Sequence, residues 1–400
     1  DDTDVATEEE TEDEATEEEA VTGDDDDDAA AGEEIRIAAG EAIVIGVSTP
    51  LTGPDANLGI DSRDGAIVGV AQWQADNEEQ ILGHDIDVVA EDDGCSDAAI
   101  ATTAAERLLD IPNLVGIAGP TCSGGTQAVI PLYQENSVVM ISGSATRSDL
   151  TLEQPEPRFF FRTAFRNSAE GVLQASYAID ELGATTAYVI DDTEPYGEDL
   201  ANAAQDALEE GGVTVTREKI NRGDTDFSAL ASRIADDNPD VAIFEGFNPE
   251  GQLIAAALNS AGYGGGFISD DGVASVNDFI TPDPDVAEGA VFAGCAGELP
   301  DDYLTFFEET IGQVPTTPFA GQYSDAAYIL LIAINEVAED DGGELVIDTA
   351  ALRDAVENAS HDGITGSIAF DENGDRVGET PEELGLVLCS VQGGEFVIIE

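Results

Sequence analysis

The chain has 400 residues, 42% of them hydrophobic, which is enough apolar material for a packed core and enough length for two domains. It carries 86 Asp and Glu against 13 Lys and Arg, a formal net charge of -73, a field that repels nucleic-acid phosphates and anionic lipid head groups. No run of about 18 apolar residues is present to span a membrane, and two histidines, His84 and His361, leave little for zinc binding or histidine catalysis.

Residues 1–34 hold 19 acidic groups and no base, and are nearly free of large apolar side chains. This segment reads as a disordered acidic tether. The rest of the chain still carries a net charge of -54, with Lys219 its single lysine. Such self-repulsion destabilises a compact state at moderate salt. At molar salt the screening length falls to about 3 Å, so the composition points to a protein adapted to high salt. No signal peptide is visible, so a segment of that kind is expected to have been removed or left out.

Regular structure is expected from residue 42. The apolar run 42–47 predicts a buried strand, 62–74 a helix, 85–90 a strand, 98–109 a helix, 114–118 a strand, 126–135 a helix and 138–142 a strand. After Arg166 the alternation restarts: helix 168–182, strand 186–190, helix 197–210, strand 213–218, helix 227–236, strand 241–245, helix 249–261 and strand 266–269. Strand 289–294 precedes helices near 302–311, 321–338 and 348–357, then short strands at 367–370, 385–389 and 395–399. Strands and helices alternating at about 25-residue spacing imply parallel sheets with crossover helices, and two successive runs imply two lobes.

Enzyme signatures are missing. There is no phosphate loop, no nucleophile elbow, and Gly262–Gly266 follows a helix and leads into a strand, the reverse of a dinucleotide fingerprint. Cys95, Cys122, Cys295 and Cys389 form no C-x-x-C pair and have no histidine cluster to complete a metal set; they read as two disulfides or as buried thiols. The informative segments lie at the carboxyl ends of predicted strands, where open α/β sheets place ligands. Gly119–Thr126 puts Ser123 at or near a helix N-cap, where free N–H groups and a hydroxyl accept a carboxylate. Gly143–Ser148 offers Thr146 as a second hydroxyl. Both segments also serve as plain helix caps.

These segments carry a resemblance. The chain resembles the extracytoplasmic substrate-binding proteins of ABC transporters, of the branched-chain amino acid (leucine/isoleucine/valine) type, from about residue 42 to 400. The similarity rests on Pro50–Pro54 with Leu58-Gly59, Gly119–Thr126, Ile141–Thr146 with Leu150-Thr151, and Phe160 with Arg162-Thr163. It continues through Asp192–Glu198, Asp224–Ser228 and Tyr323–Ala327. The resemblance implies an α/β fold of two doubly wound, Rossmann-like lobes joined by a three-strand hinge, the type I periplasmic binding fold. It implies a first lobe of residues 42–164 plus 297–378 and a second of 165–296 plus 379–400. Ser123 and Thr146, with backbone near Ser144 and Ala145, are then expected to hold a ligand carboxylate. Tyr196 is expected to close over the ligand, and Asp271, beside Gly272, to meet its ammonium. Leu58 stands where relatives often carry an aromatic, and Phe247 where a tyrosine is common. The same resemblance pairs Cys95 with Cys122, and Cys295 and Cys389, on predicted second-lobe strands near the crossovers, are expected to pair with each other. The function implied is a non-enzymatic solute receptor, monomeric, without cofactor or metal, held outside the cytoplasm by its N-terminus and delivering an aliphatic amino acid to a membrane permease. A receptor for a short amide, urea or another small organic acid, or a ligand-sensing domain of the same fold, is the alternative.

Overall fold

The computed structural model describes residues 33–77, 79–295 and 297–399. Almost all of the tail expected over residues 1–34 therefore lies outside the described residues. Its last residue is a correction. Glu34 opens a strand, β1 (Glu34–Ile37), which pairs antiparallel with 345–348. Ile35 and Ile37 alternate with Glu34 and Arg36, the period of a half-buried strand, and Ile37 is fully buried.

The first run continues through β2 (Ile43–Thr49), α1 (Ala56–Asp76), β3 (Ile86–Asp92), α2 (Ala98–Leu109), β4 (Leu114–Ala118), α3 (Ser123–Glu135), β5 (Val139–Ser142), the short α4 (Asp149–Leu152) and β6 (Phe160–Arg162). The second comprises α5 (Asn167–Asp180), β7 (Thr186–Asp191), α6 (Pro195–Glu210), β8 (Thr214–Lys219), α7 (Ser228–Asp237), β9 (Val241–Glu245), α8 (Glu250–Ala261), β10 (Gly266–Ser269), a π-helical turn at Val276–Ile280, α9 (Pro284–Ala287) and β11 (Val291–Ala293). Then follow α10 (Asp301–Ile311), α11 (Ala320–Val337), β12 (Glu339–Asp341), β13 (Glu344–Asp348), α12 (Thr349–Glu357), β14 (Ser360–Gly363), β15 (Gly366–Ala369), β16 (Leu388–Gln392) and β17 (Glu395–Ile399).

Two sheets organise these elements. The first is parallel, in the order β3-β2-β4-β5-β6. The second has the order β17-β16-β11-β10-β9-β7-β8, in which β7 to β11 are parallel and β16 and β17 add antiparallel strands. The chain crosses between the sheets three times: after β6, after β11 and between β15 and β16. In each sheet the strand order reverses at its first strand, between β2 and β4 and between β7 and β9. Helices leave on opposite faces there and open a crevice at the carboxyl ends of the strands.

All residues of β2, β4 and β9 are buried, as expected of parallel strands covered on both faces. Helices α1 and α11 pack closely because Gly65 and Gly69 have no side chain. A Cβ at either position would lie 2.3 Å from Ala320 O or 2.2 Å from Ser324 O. The four cysteines form two disulfides, Cys95–Cys122 and Cys295–Cys389. The first ties the loop after β3 to the loop after β4. The second links the end of β11 to its antiparallel neighbour β16.

Few of the many carboxylates have a cation to meet, so screening decides the stability of this fold. We predict that the melting temperature rises by about 10 °C or more between about 0.1 M and about 2 M KCl. Calorimetric melts across that range test this, and a salt-independent melting temperature contradicts it.

Candidate functional site

On the first lobe, three loops converge after β2, β4 and β5. Ser123 is the first residue of α3, after Cys122 at the cap. Its Oγ accepts the N–H of Arg147 at 3.2 Å, joining the β4 and β5 loops. Ser142 Oγ accepts the N–H of Ser144 (3.2 Å) and of Ala145 (2.9 Å). The Ser144 hydroxyl donates to Thr121 O at 2.8 Å and lies 3.1 Å from the Tyr323 hydroxyl. In this conformation the amides of Ser144 and Ala145 and the Ser144 hydroxyl thus shape the loop. Thr146 differs from them. Its side chain is fully buried and its Oγ1 has no hydrogen-bond partner among the described residues.

On the second lobe, Tyr196 sits in the first turn of α6, behind the helix-starting Pro195. Its ring lies 5.0 Å from that of Phe247, and its hydroxyl donates to Asp271 Oδ1. Gly272 is tightly enclosed, since a Cβ there would lie 2.3 Å from Gly246 O and against the rings of Phe247 and Tyr196. The structure therefore gathers Tyr196, Phe247, Asp271 and Gly272 into one cluster. Asp271 Oδ2 is buried without a partner.

Three more carboxyls surround Asp271. Glu170 Oε1, from α5, accepts the Asp271 N–H at 3.3 Å. Asp270 accepts the N–H groups of Gly246 (2.6 Å) and Val273 (3.0 Å). Glu245, at the end of β9, accepts the Gln174 side-chain amide at 3.2 Å. All four acids are buried, and none has an ion-pair partner among the described residues. Burial accordingly pushes the Asp271 carboxyl up to about 7 and that of Glu245 up to about 8. It also lifts Glu170 and Asp270 well above the carboxylate range, with their neighbours' charges adding to the effect.

Leu58, in the first turn of α1, shares a small cavity with Asp271 and Gly272. Asp55, Asn248, Asp278 and Thr317 also line it, and its volume of about 20 Å³ is roughly that of one water. The rim is shut by contacts between the lobes. Arg222 donates to both Asp55 oxygens at 2.6 and 2.8 Å, and Asn57 to both Asp278 oxygens at 2.8 and 2.9 Å. Arg222 also lies 4.8 Å over the Phe247 ring.

Residues 42–381 match the periplasmic binding protein family. The chain belongs to that family. It is 29% identical over 336 residues to the Leu/Ile/Val-binding protein BraC3 of Rhizobium johnstonii, a match covering 83% of this chain and 88% of the relative. The leucine binding protein LivK of Thermotoga maritima superposes with a TM-score of 0.76 at 25% identity, over 90% of this chain and 98% of that one. A solute binding protein of an R. palustris ABC transporter, solved with benzoate, shares the fold with a TM-score of 0.75 at 20% identity, over 90% and 95% of the two chains.

The relatives bind solutes, and this periplasmic binding protein is a binding protein of the same type. Among the described residues no helix is long and apolar enough to cross a membrane. Sequence reasoning missed Glu170, Asp55, Arg222 and Asp278. It also left unexplained the motif residue Arg162, whose role is now visible. Arg162 is fully buried at the end of β6 and donates to the carbonyls of Ala145 (2.9 Å) and Arg147 (2.7 Å), on either side of Thr146. Its Nε meets Asp375 at 2.6 Å, and Arg166, more exposed, reaches the same carboxylate at 3.3 Å. Arg162 therefore fixes the Thr146 loop from behind.

Removing Arg162 leaves the buried Asp375 with only the more exposed Arg166 as its cation and leaves the carbonyls beside Thr146 without their donor. We expect Arg162→Met to cost about 3–5 kcal/mol of unfolding free energy, measured by denaturant titration in high salt. A loss below about 1 kcal/mol contradicts this placement of the pair.

Proposed function

We propose that the protein is the extracytoplasmic receptor of an ABC importer for an aliphatic, branched-chain type α-amino acid. The observation that carries the reading is the pair of buried, unpartnered polar groups at the site: Thr146 Oγ1 on the first lobe and Asp271 Oδ2 on the second. A hydroxyl beside the start of α3 suits a carboxylate. A desolvated carboxylate beside a tyrosine hydroxyl suits an ammonium. A zwitterion answers both at once and draws the lobes together, while Leu58 and Phe247 offer apolar surface to its side chain. The names of the leucine- and Leu/Ile/Val-binding relatives support the same class.

Entry requires the lobes to part about the three crossings, because the closed cavity is too small for such a solute. The expected cycle is capture by closure, delivery to a permease by reopening, and no chemistry on the ligand. The receptor works as a monomer at the cell surface, at high salt. Relatives such as the one solved with benzoate bind a carboxylate without an amine. The unpaired acids around Asp271 disfavour that class here, because such a ligand supplies no cation to them.

Calorimetric titration in about 2 M KCl against leucine, isoleucine, valine, benzoate and acetamide tests the reading. One-to-one binding of a branched-chain amino acid is expected, weakened at least about tenfold by Asp271→Ala. Binding of benzoate or acetamide alone contradicts the amino-acid reading, and unchanged affinity in the variant removes Asp271 from the site.

A further inference from the structure

We propose that Arg222 and Asp55 form the latch that holds the two lobes closed, and that this pair sets how long the protein keeps its ligand. The proposal deepens the receptor reading above, but it rests only on capture by closure and not on which solute is captured.

The two residues come from opposite sheets. Asp55 follows β2 and stands at the N-terminus of α1, and Arg222 lies in the loop after β8. Each end of the guanidinium serves one lobe. Nη2 donates to both Asp55 oxygens, at 2.6 and 2.8 Å. Nη1 is turned to its own lobe, 3.5 Å from Glu250 Oε2 and 3.8 Å from Asp192 Oδ2. Glu250 Oε1 also holds the loop, accepting the Gly223 N–H at 2.6 Å, and the guanidinium rests on the Phe247 ring. Arg222 is therefore anchored in the second lobe whether or not the cleft is shut. Asp55 is placed to be its catch. An aspartate at a helix N-cap ordinarily accepts a first-turn N–H, yet the Asp55 side chain makes no such bond. Its carboxylate faces the other lobe instead.

Charge makes this contact decisive. Away from the hinge pair of Arg166 and Asp375, it is the one ion pair among the described residues that joins the lobes. The other charged groups facing the pair are acids: Glu250, Asp192 and Glu194 act on Arg222, and Glu250 and Asp278 act on Asp55. Closing the cleft without the guanidinium would press Asp55 against carboxylates of the second lobe, and like charges at short range repel. Asn57 donates to Asp278 on the same rim but brings no positive charge. The side chains of Arg222 and Asp55 are only 19% and 10% exposed, so salt that screens the surface reaches this pair far less. The latch therefore works in the molar salt at which repulsion over the rest of the surface is screened.

Asp55 also lines the small cavity with Leu58 and Asp271. Latch and ligand wall thus share a residue. A solute that lets the lobes meet completes the latch, and one that holds them further apart leaves it unmade. The pair adds to the closed state once the ligand is inside, so it slows release without being needed for entry.

Stopped-flow kinetics with L-leucine in about 2 M KCl test this on wild type, Arg222→Gln, Asp55→Asn and the double variant. Each single change is expected to speed dissociation about tenfold, with association no slower than in wild type. The double variant is expected to dissociate about as fast as either single one, about tenfold rather than 100-fold above wild type, because both changes break the same contact. Unchanged dissociation in the single variants overturns the latch, and so does a double effect equal to the product of the two. If Arg222→Gln does not fold, Asp55→Asn alone decides by its dissociation rate. If folded wild type does not bind leucine, the amino-acid reading fails, and hydrogen exchange without ligand decides the latch instead. Arg222→Gln is then expected to speed exchange at least about twofold in the first turn of α1, on the opposite lobe. Exchange that rises only around residue 222 overturns the proposal.

Discussion

Four carboxyl groups, those of Glu170, Glu245, Asp270 and Asp271, are buried together in the second lobe, and no ion-pair partner reaches them among the described residues. Burying an uncompensated charge is costly, and such a group keeps its proton unless a cation comes to it. The second lobe is therefore built around an unmet electrostatic demand. The packing around it keeps that demand strong. Tyr196 and Phe247 exclude water, and Gly272 lets the backbone close in behind them. A low local dielectric strengthens whatever interaction finally satisfies Asp271.

The first lobe has a complementary construction. Its loops are held rigid by groups turned away from the cleft. Arg162 grips the carbonyls on both sides of Thr146, Ser142 gathers the amides of Ser144 and Ala145, and Cys95–Cys122 ties down the loop before Ser123. Among the described residues, the Thr146 hydroxyl is left without a partner there, as are Arg147 Nε and Asp149 Oδ1 beside it. On the proposed reading, one lobe offers a partner to an anion and the other to a cation, about a hinge of three crossing segments. A solute carrying both charges interacts fully only when the lobes are together, so its binding energy favours the closed state. At the rim, Arg222 and Asp55 already bridge the lobes, while Arg222 stacks on Phe247, which packs against Tyr196. That contact lets closure be felt at the pocket wall.

Much of this was legible in the sequence because it is local. The alternation of apolar runs and helical spacing located both series of strands and helices. Ser123 and Thr146 each follow a predicted strand, so topology placed them at the carboxyl edges, whereas Tyr196, Phe247 and Asp271 were singled out by the family resemblance. The rest depended on contacts distant in the chain. Strand β1 pairs with β13 some 300 residues later, and its four residues adjoin an acidic run that masks their alternation. Glu170 was one acid among 86 on an amphipathic helix, and nothing nearby distinguished it from a solvated one. Arg222 and Asp55 lie in loops of opposite lobes. Ser144 and Ala145 sit in the expected loop, but their polar groups turn towards Ser142, Thr121 and Tyr323, contacts that no local pattern announces.

The central claim is that the cleft needs a cation from its ligand. Comparing the affinities of L-leucine and 4-methylpentanoate, which keeps the carboxylate and the branched chain but lacks the amine, tests it most directly. The account predicts that leucine binds at least about 100-fold more tightly, a difference of about 2.7 kcal/mol. Equal affinity for the two would contradict it.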